Sequence, residues 1–143
     1  MVDKADLATK AGDDFAARVY VFFDVPMESL TWGRRLKLRI ARLVYGSEVP
    51  SAGICYVWDN SHPLGTALWN PYSDRVRTVV VESGNEAAGR WVEETRDVDA
   101  DFRAAFGDQA AARITGIAAG NDTDQTRESA SAWFGDFRLE ARP

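Results

Sequence analysis

Nine consecutive residues, Phe15 to Phe23, are rich in Val, Tyr and Phe and carry apolar side chains at both parities. Ala17, Val19, Val21 and Phe23 fall on one face, and Ala16, Arg18, Tyr20 and Phe22 on the other. Such a run is a β-strand by propensity, and a strand apolar on both faces has to be covered on both faces. The chain must therefore supply material for two sides of a sheet, with Arg18 a candidate for a paired, half-buried cation. Preceding it, the first fourteen residues are polar and end in the turn sequence Gly12-Asp13-Asp14.

After Pro26 the period changes. Trp32, Leu36, Ile40, Leu43 and Val44 fall within an arc of about 120° on a helical wheel, which predicts an amphipathic helix ended near Gly46. Arg34, Arg35, Lys37, Arg39 and Arg42 make it basic. Its cationic face could lie against anionic lipid or a polyanionic polymer, but the apolar stripe is expected to cover the sheet and leave the charges solvated. Strands are then predicted at Gly53 to Asp59, Arg75 to Ser83 and Arg90 to Val98, the last two joined by a hairpin loop over Gly84 to Gly89. Turn clusters flank a short apolar piece at Thr66 to Trp69. A short helix capped by Asp99 carries Phe102 and Phe106 and ends at Gly107. Arg113 to Gly120 and Ser131 to Glu140 complete the strands. Their irregular alternation with helices favours a mainly β fold, an antiparallel β-sandwich of jelly-roll type with one basic and one short helix inserted.

Composition narrows the chemistry. Seventeen basic against 22 acidic residues give no general footprint for nucleic acid. One cysteine, Cys55, rules out an intramolecular disulfide, and with one histidine, His62, a thiolate or His-rich metal site is not expected. The length of 143 residues suits a single domain, no apolar stretch reaches the length of a transmembrane helix, and the polar start is no signal peptide.

Several strings taken together resemble the bacterial family catalogued as domain of unknown function 3047: Gly12-Asp13-Asp14-Phe15-Ala16-Ala17-Arg18-Val19, Ile54-Cys55-Tyr56-Val57-Trp58, Asn70-Pro71-Tyr72 with Arg75-Val76-Arg77, Arg96-Asp97-Val98, Phe106-Gly107, and Asp122-Thr123-Asp124-Gln125-Thr126 leading to Trp133-Phe134-Gly135-Asp136. The resemblance brings no established activity. It implies export, to the periplasm or the outside of the cell, and an additional amino-terminal part that this chain would lack. Ser131 to Leu139 is also similar to the closing strand of galactose-binding jelly rolls that bind carbohydrate. About six strands are two short of an eight-stranded jelly roll, so missing strands would leave an open edge or apolar patch for a homo-oligomer or protein partner.

Besides the basic helix, three sets of side chains are candidates for function. Trp69 and Tyr72, flanking Asn70-Pro71, with Arg75, Arg77 and Trp91, form the expected surface for a polysaccharide or cell-envelope glycan, since an exposed aromatic ring stacks on the apolar face of a sugar. Asp122, Asp124 and Thr126, completed by Asp13 and Asp14, could hold calcium, the one cofactor indicated; hydrogen bonding of the same side chains to turn amides is the competing expectation. Arg18, Glu94, Arg96, Asp97 and Asp136 are expected as structural ion pairs, because a lone buried charge is unfavourable. Glu94 and Asp136, or Asp122 and Asp124 with a metal, would instead serve a hydrolase. A Ser-His-Asp site would depend on His62, and the chain has no Gly-x-Ser-x-Gly elbow. The leading expectation is non-catalytic glycan binding; the alternatives are a carboxylate or metal-assisted hydrolase and an envelope scaffold.

Overall fold

The computed structural model describes residues 2–47, 49–107 and 112–141. The chain is mainly β, with β1 at Phe15–Asp24, α1 at Trp32–Tyr45, β2 at Ala52–Asp59, β3 at Ala67–Asn70, β4 at Ser73–Ser83, α2 at Val98–Phe106 and β5 at Arg113–Asp122. The described strands form a single mixed sheet in the order β3-β4-β2-β1-β5. β1 lies antiparallel to β2 and β5, β3 antiparallel to β4, and β2 parallel to β4.

This differs from the antiparallel sandwich expected of the sequence. The parallel pair arises because the piece around Thr66 to Trp69 is itself a strand: β3 returns the chain outside β4, so β4 inserts between β3 and β2 and runs with β2. The expected strands at Arg90 to Val98 and Ser131 to Glu140 join no ladder; residues 91–97 and 128–141 are irregular and mostly exposed. The first of these ends in α2, whose amino-terminal cap is Asp97, accepting the Ala100 N–H at 3.0 Å, two positions before the expected Asp99. Asp99 instead pairs with Arg103 at 2.7 Å.

Both faces of the sheet are covered, as the two-sided apolar character of β1 requires. On one, Val21, Phe23, Ile54, Tyr56 and Val79 pack with Leu30, Leu38 and the α2 residue Phe102. On the other, Cys55, Val57 and Val80 pack with Leu7 and Phe15. An irregularity in the β1–β5 register between Phe15 and Arg18 carries Phe15 across to the Tyr20 side despite its odd number. The amino-terminal stretch is therefore structural: Val2 and Leu7 are fully buried, and Gly12 approaches the Asp6 backbone so closely that a Cβ would stand 2.5 Å from the Asp6 nitrogen. Isolated apolar residues in a polar stretch carry no periodic signal.

The largest departure concerns α1. Of the five stripe residues expected to cover the sheet, Trp32 is 79% exposed and Leu43 86%, with Leu36, Ile40 and Val44 also exposed; Leu38 is the buried residue of the helix. Arginines, rather than the stripe, fix the orientation. Arg42 pairs with Asp24 at 2.6 Å and donates to the Val49 carbonyl, Arg34 pairs with Asp74 at 3.1 Å, and Arg35 donates to the carbonyls of Leu30 and Glu28. With Leu38 they occupy an arc of about 100° centred nearly opposite the middle of the apolar stripe, so holding them against the sheet turns the stripe to solvent.

Candidate functional site

On the α2 side of the sheet, alternation places Ala67 and Trp69 of β3 and Arg75 and Arg77 of β4 on one face. Trp69 stands directly opposite Arg77 in the register, and the Arg77 guanidinium lies over the indole at 5.0 Å. Phe106 meets the indole edge-on at 5.5 Å, and Arg75 covers Phe106 at 4.8 Å. The result is a continuous ladder, Arg77–Trp69–Phe106–Arg75. Phe102 anchors it from below through Phe106 at 4.9 Å and Phe23 at 4.6 Å.

The ladder borders a cleft of about 280 Å³ between α1 and the sheet, with Leu30, Lys37, Leu38 and Ser73 in its walls, and a smaller hollow against Phe102 and Phe106. Arg34 and Arg75 line both. Arg75 donates to the Ser51 carbonyl at 2.7 Å. Its pKa is lowered, first by burial and then by the nearby Arg34 charge, with the Asp74 charge acting the other way. Among the described residues neither Arg75 nor Arg77 has a carboxylate within ion-pair distance. A guanidinium stacked on a ring presents its N–H fork at its edge, which suits a planar carboxylate or a phosphate; the indole offers the adjacent apolar surface.

Of the residues expected at a glycan surface, Trp69, Arg75 and Arg77 come together here. Asn70 points the other way, donating to Asp13 at 3.2 Å and accepting from the Tyr72 N–H at 2.9 Å. Tyr72 donates to the Lys10 carbonyl at 3.1 Å, and the Lys10 ammonium lies over its ring, so both side chains fasten the β3–β4 turn to the amino-terminal stretch. Trp91, 75% exposed, lies beside Gly135. Phe106 and Arg34 belong to the site without having been expected there: Phe106 read as the core partner of Phe102, and no periodicity could have placed it against Trp69.

The acidic loop forms a second cluster. Carboxylate oxygens of Asp14, Asp122 and Asp124 lie within 4.8 Å of one another. Asp14 accepts the N–H groups of Thr126 at 2.6 Å and Gln125 at 3.4 Å, and Asp122 pairs with Arg18 at 2.5 Å. Desolvation, then the charges of Asp122 and Asp14, raise the Asp124 pKa above the ordinary carboxylate range. The Thr126 hydroxyl is buried and has no hydrogen-bond partner among the described residues. Asp13 faces Asn70 and its pKa is raised, chiefly by burial.

The remaining charges sort into separate contacts. Arg96 engages Asp101 at 2.8 and 3.1 Å, while Asp101 also accepts the Tyr56 hydroxyl at 2.7 Å, fixing the start of α2 to β2. Glu94 meets Glu82, and burial followed by that contact raises its pKa. Asp136 lies in the exposed carboxy-terminal stretch with φ at +46°. His62 turns back on the buried Asp59, which accepts both its backbone N–H at 2.5 Å and that of Ser61 at 2.9 Å. That arrangement is a turn held by a carboxylate.

A family model described as "Protein of unknown function (DUF3047)" matches residues 1–138, almost the whole chain. No curated protein and no solved structure matches it.

Proposed function

We propose that this chain, which belongs to the DUF3047 family of proteins of unknown function, is a non-catalytic binding module for an acid-bearing polysaccharide or cell-envelope glycan. The Arg77–Trp69–Phe106–Arg75 ladder beside the cleft carries the reading. A sugar ring stacks on the indole, and a uronate or phosphate group on the same chain takes the guanidinium forks that no carboxylate among the described residues occupies. A hydrolase of the inverting or retaining kind would need two carboxyl groups opposed across an open cleft, about 5 to 10 Å apart. Glu94 instead finds Glu82, and among the described residues the walls of the cleft contribute one acidic residue, Asp74, already paired with Arg34.

Affinity electrophoresis through gels containing an acidic or a neutral polysaccharide tests this. Retardation is expected in the acidic gel, weakened about tenfold or more in Trp69→Ala and Arg77→Gln, a loss of roughly 1.4 kcal/mol or more. Tyr72→Ala and Trp91→Ala should bind as the parent does. Absence of retardation in either gel, or retardation indifferent to Trp69 and Arg77, refutes the proposal.

A second reading concerns calcium, favoured by the convergence of Asp14, Asp122 and Asp124 in the loop whose Thr126 hydroxyl is buried without a partner among the described residues. The ion would replace Arg18 at Asp122 and tie the loop after β5 to the start of β1, a structural role. A rise in melting temperature with about 1 mM calcium, absent in Asp124→Asn, is the expected result. An unchanged melting temperature refutes it.

A further inference from the structure

We propose that α1 is an in-plane anchor that lays its apolar stripe into an anionic lipid surface. The stripe lies on a different face of the molecule from the glycan ladder, and Lys37, at its margin, is the residue shared with the cleft. Trp32, Leu36, Ile40, Leu43 and Val44 form one continuous exposed arc along a helix of 14 residues, about 21 Å long. On the wheel this arc is flanked by Arg39 on one side and Lys37 on the other. Neither has an ion-pair partner among the described residues, whereas Arg34 and Arg42 are paired with Asp74 and Asp24 and Arg35 is tied to backbone carbonyls. The cations that would have to stay against the sheet are fastened there, and the two at the margins of the stripe have no ion pair among the described residues. An apolar arc edged by long cationic side chains is the pattern that seats a helix at a headgroup boundary: the stripe enters the acyl region, and the stems of Lys37 and Arg39 reach up to the phosphates.

Charge selects lipid over other occupants. The helix contains five basic residues and no acidic one in a chain whose net charge is −5, so the whole acidic excess lies elsewhere. An anionic surface therefore attracts α1 and repels the remainder, which orients the molecule with the helix down. Two copies joined stripe to stripe would bring two sets of Lys37 and Arg39 together with no carboxylate in either helix to pair with them. A soluble acidic polymer could engage those cations but would leave the stripe in water.

Sedimentation with sucrose-loaded vesicles tests the assignment. The protein should pellet with phosphatidylcholine vesicles containing about 30% phosphatidylglycerol, at least tenfold more tightly than with pure phosphatidylcholine, and release on raising salt. Leu43→Glu and Ile40→Glu should each weaken pelleting about tenfold, and Lys37→Gln with Arg39→Gln several-fold. Leu43 is so exposed that its replacement leaves the fold intact, which circular dichroism verifies. Failure to pellet with anionic vesicles overturns the proposal, as does pelleting unaffected by Leu43→Glu. Self-association that Leu43→Glu abolishes, without lipid binding, overturns it in favour of a second copy. Since Leu43→Glu leaves Trp69 and Arg77 untouched, retardation by acidic polysaccharide should persist in it, so the two proposals succeed or fail separately.

Discussion

Two leucines five residues apart on α1 give the sharpest test of the structure. Leu38 is 9% exposed and packs with Leu30 and the sheet, while Leu43 is 86% exposed. Truncation of a buried leucine to alanine costs about 2 to 5 kcal/mol, depending on how far the site collapses. Leu38 borders the cleft, so its neighbours have room to relax, and the lower part of that range, about 2 to 3 kcal/mol, is expected. Leu43→Ala removes no buried contact and replaces one good helix former by another, so its effect should stay within about 0.5 kcal/mol. For a domain of this length that corresponds to a fall in melting temperature of roughly 6 to 12 °C against about 2 °C or less. Urea unfolding followed by circular dichroism would give both values, with unchanged m confirming that only stability moved. If Leu43→Ala proves the more damaging, the helix sits stripe-inward, the arginine-directed orientation is wrong, and the lipid anchor falls with it.

Two other outcomes follow from ionisation. Glu94, Asp124 and Asp13 all have pKa values raised in the folded state, Glu94 by burial and its contact with Glu82. The folded state then holds these protons more tightly than the unfolded one, so their contribution is fully present below the ordinary carboxylate pKa and is lost as pH rises through the raised values. Stability curves from about pH 4 to pH 7 should therefore fall less steeply in Glu94→Gln, with a gain at pH 7 of about 0.5 kcal/mol or less because the site is solvent-screened. An identical slope would remove Glu94 as a contributor. Cys55, buried in β2, has its thiol pushed up to about 12, chiefly by desolvation. A disulfide reagent at about pH 8 should label it at the rate of unfolding and much more slowly than denatured protein; rapid labelling of the native state would show that the β2 face opens.

The strands that bear the core were legible because their residues say strand at every level. Val, Tyr and Phe at both parities mark β1, β2 and the centre of β4, and the start of each is bounded by turn residues. Their direction was not legible. A two-residue period is the same in parallel and antiparallel ladders, and the element that decides it, β3, has four residues. The alternation at Arg90 to Val98 reads as a strand, yet a ladder needs a partner, and Arg96 and Asp97 are committed to the start of α2. Of the candidate site, Trp69, Arg75 and Arg77 could be gathered from spacing alone, whereas Phe106 arrives from a separate helix on the strength of the Phe102 contact.

The misplaced face of α1 has a more general cause. A helical wheel locates an apolar arc but contains no information on what covers it, and the inward assignment assumes that burying apolar surface decides the packing. Here the opposing terms are set by Asp24 and Asp74, eight residues before the helix and 29 after it, which no local pattern connects to Arg42 and Arg34. Holding those pairs also fixes where the two proposed ligands go. Arg34 and Leu38 line the cleft from the sheet side of the helix, and the stripe lies on the other. Under the two proposals a lipid surface and an acidic glycan would be bound at once, with α1 between them. Arg34→Gln, which loosens the helix from Asp74, is the substitution that should weaken both.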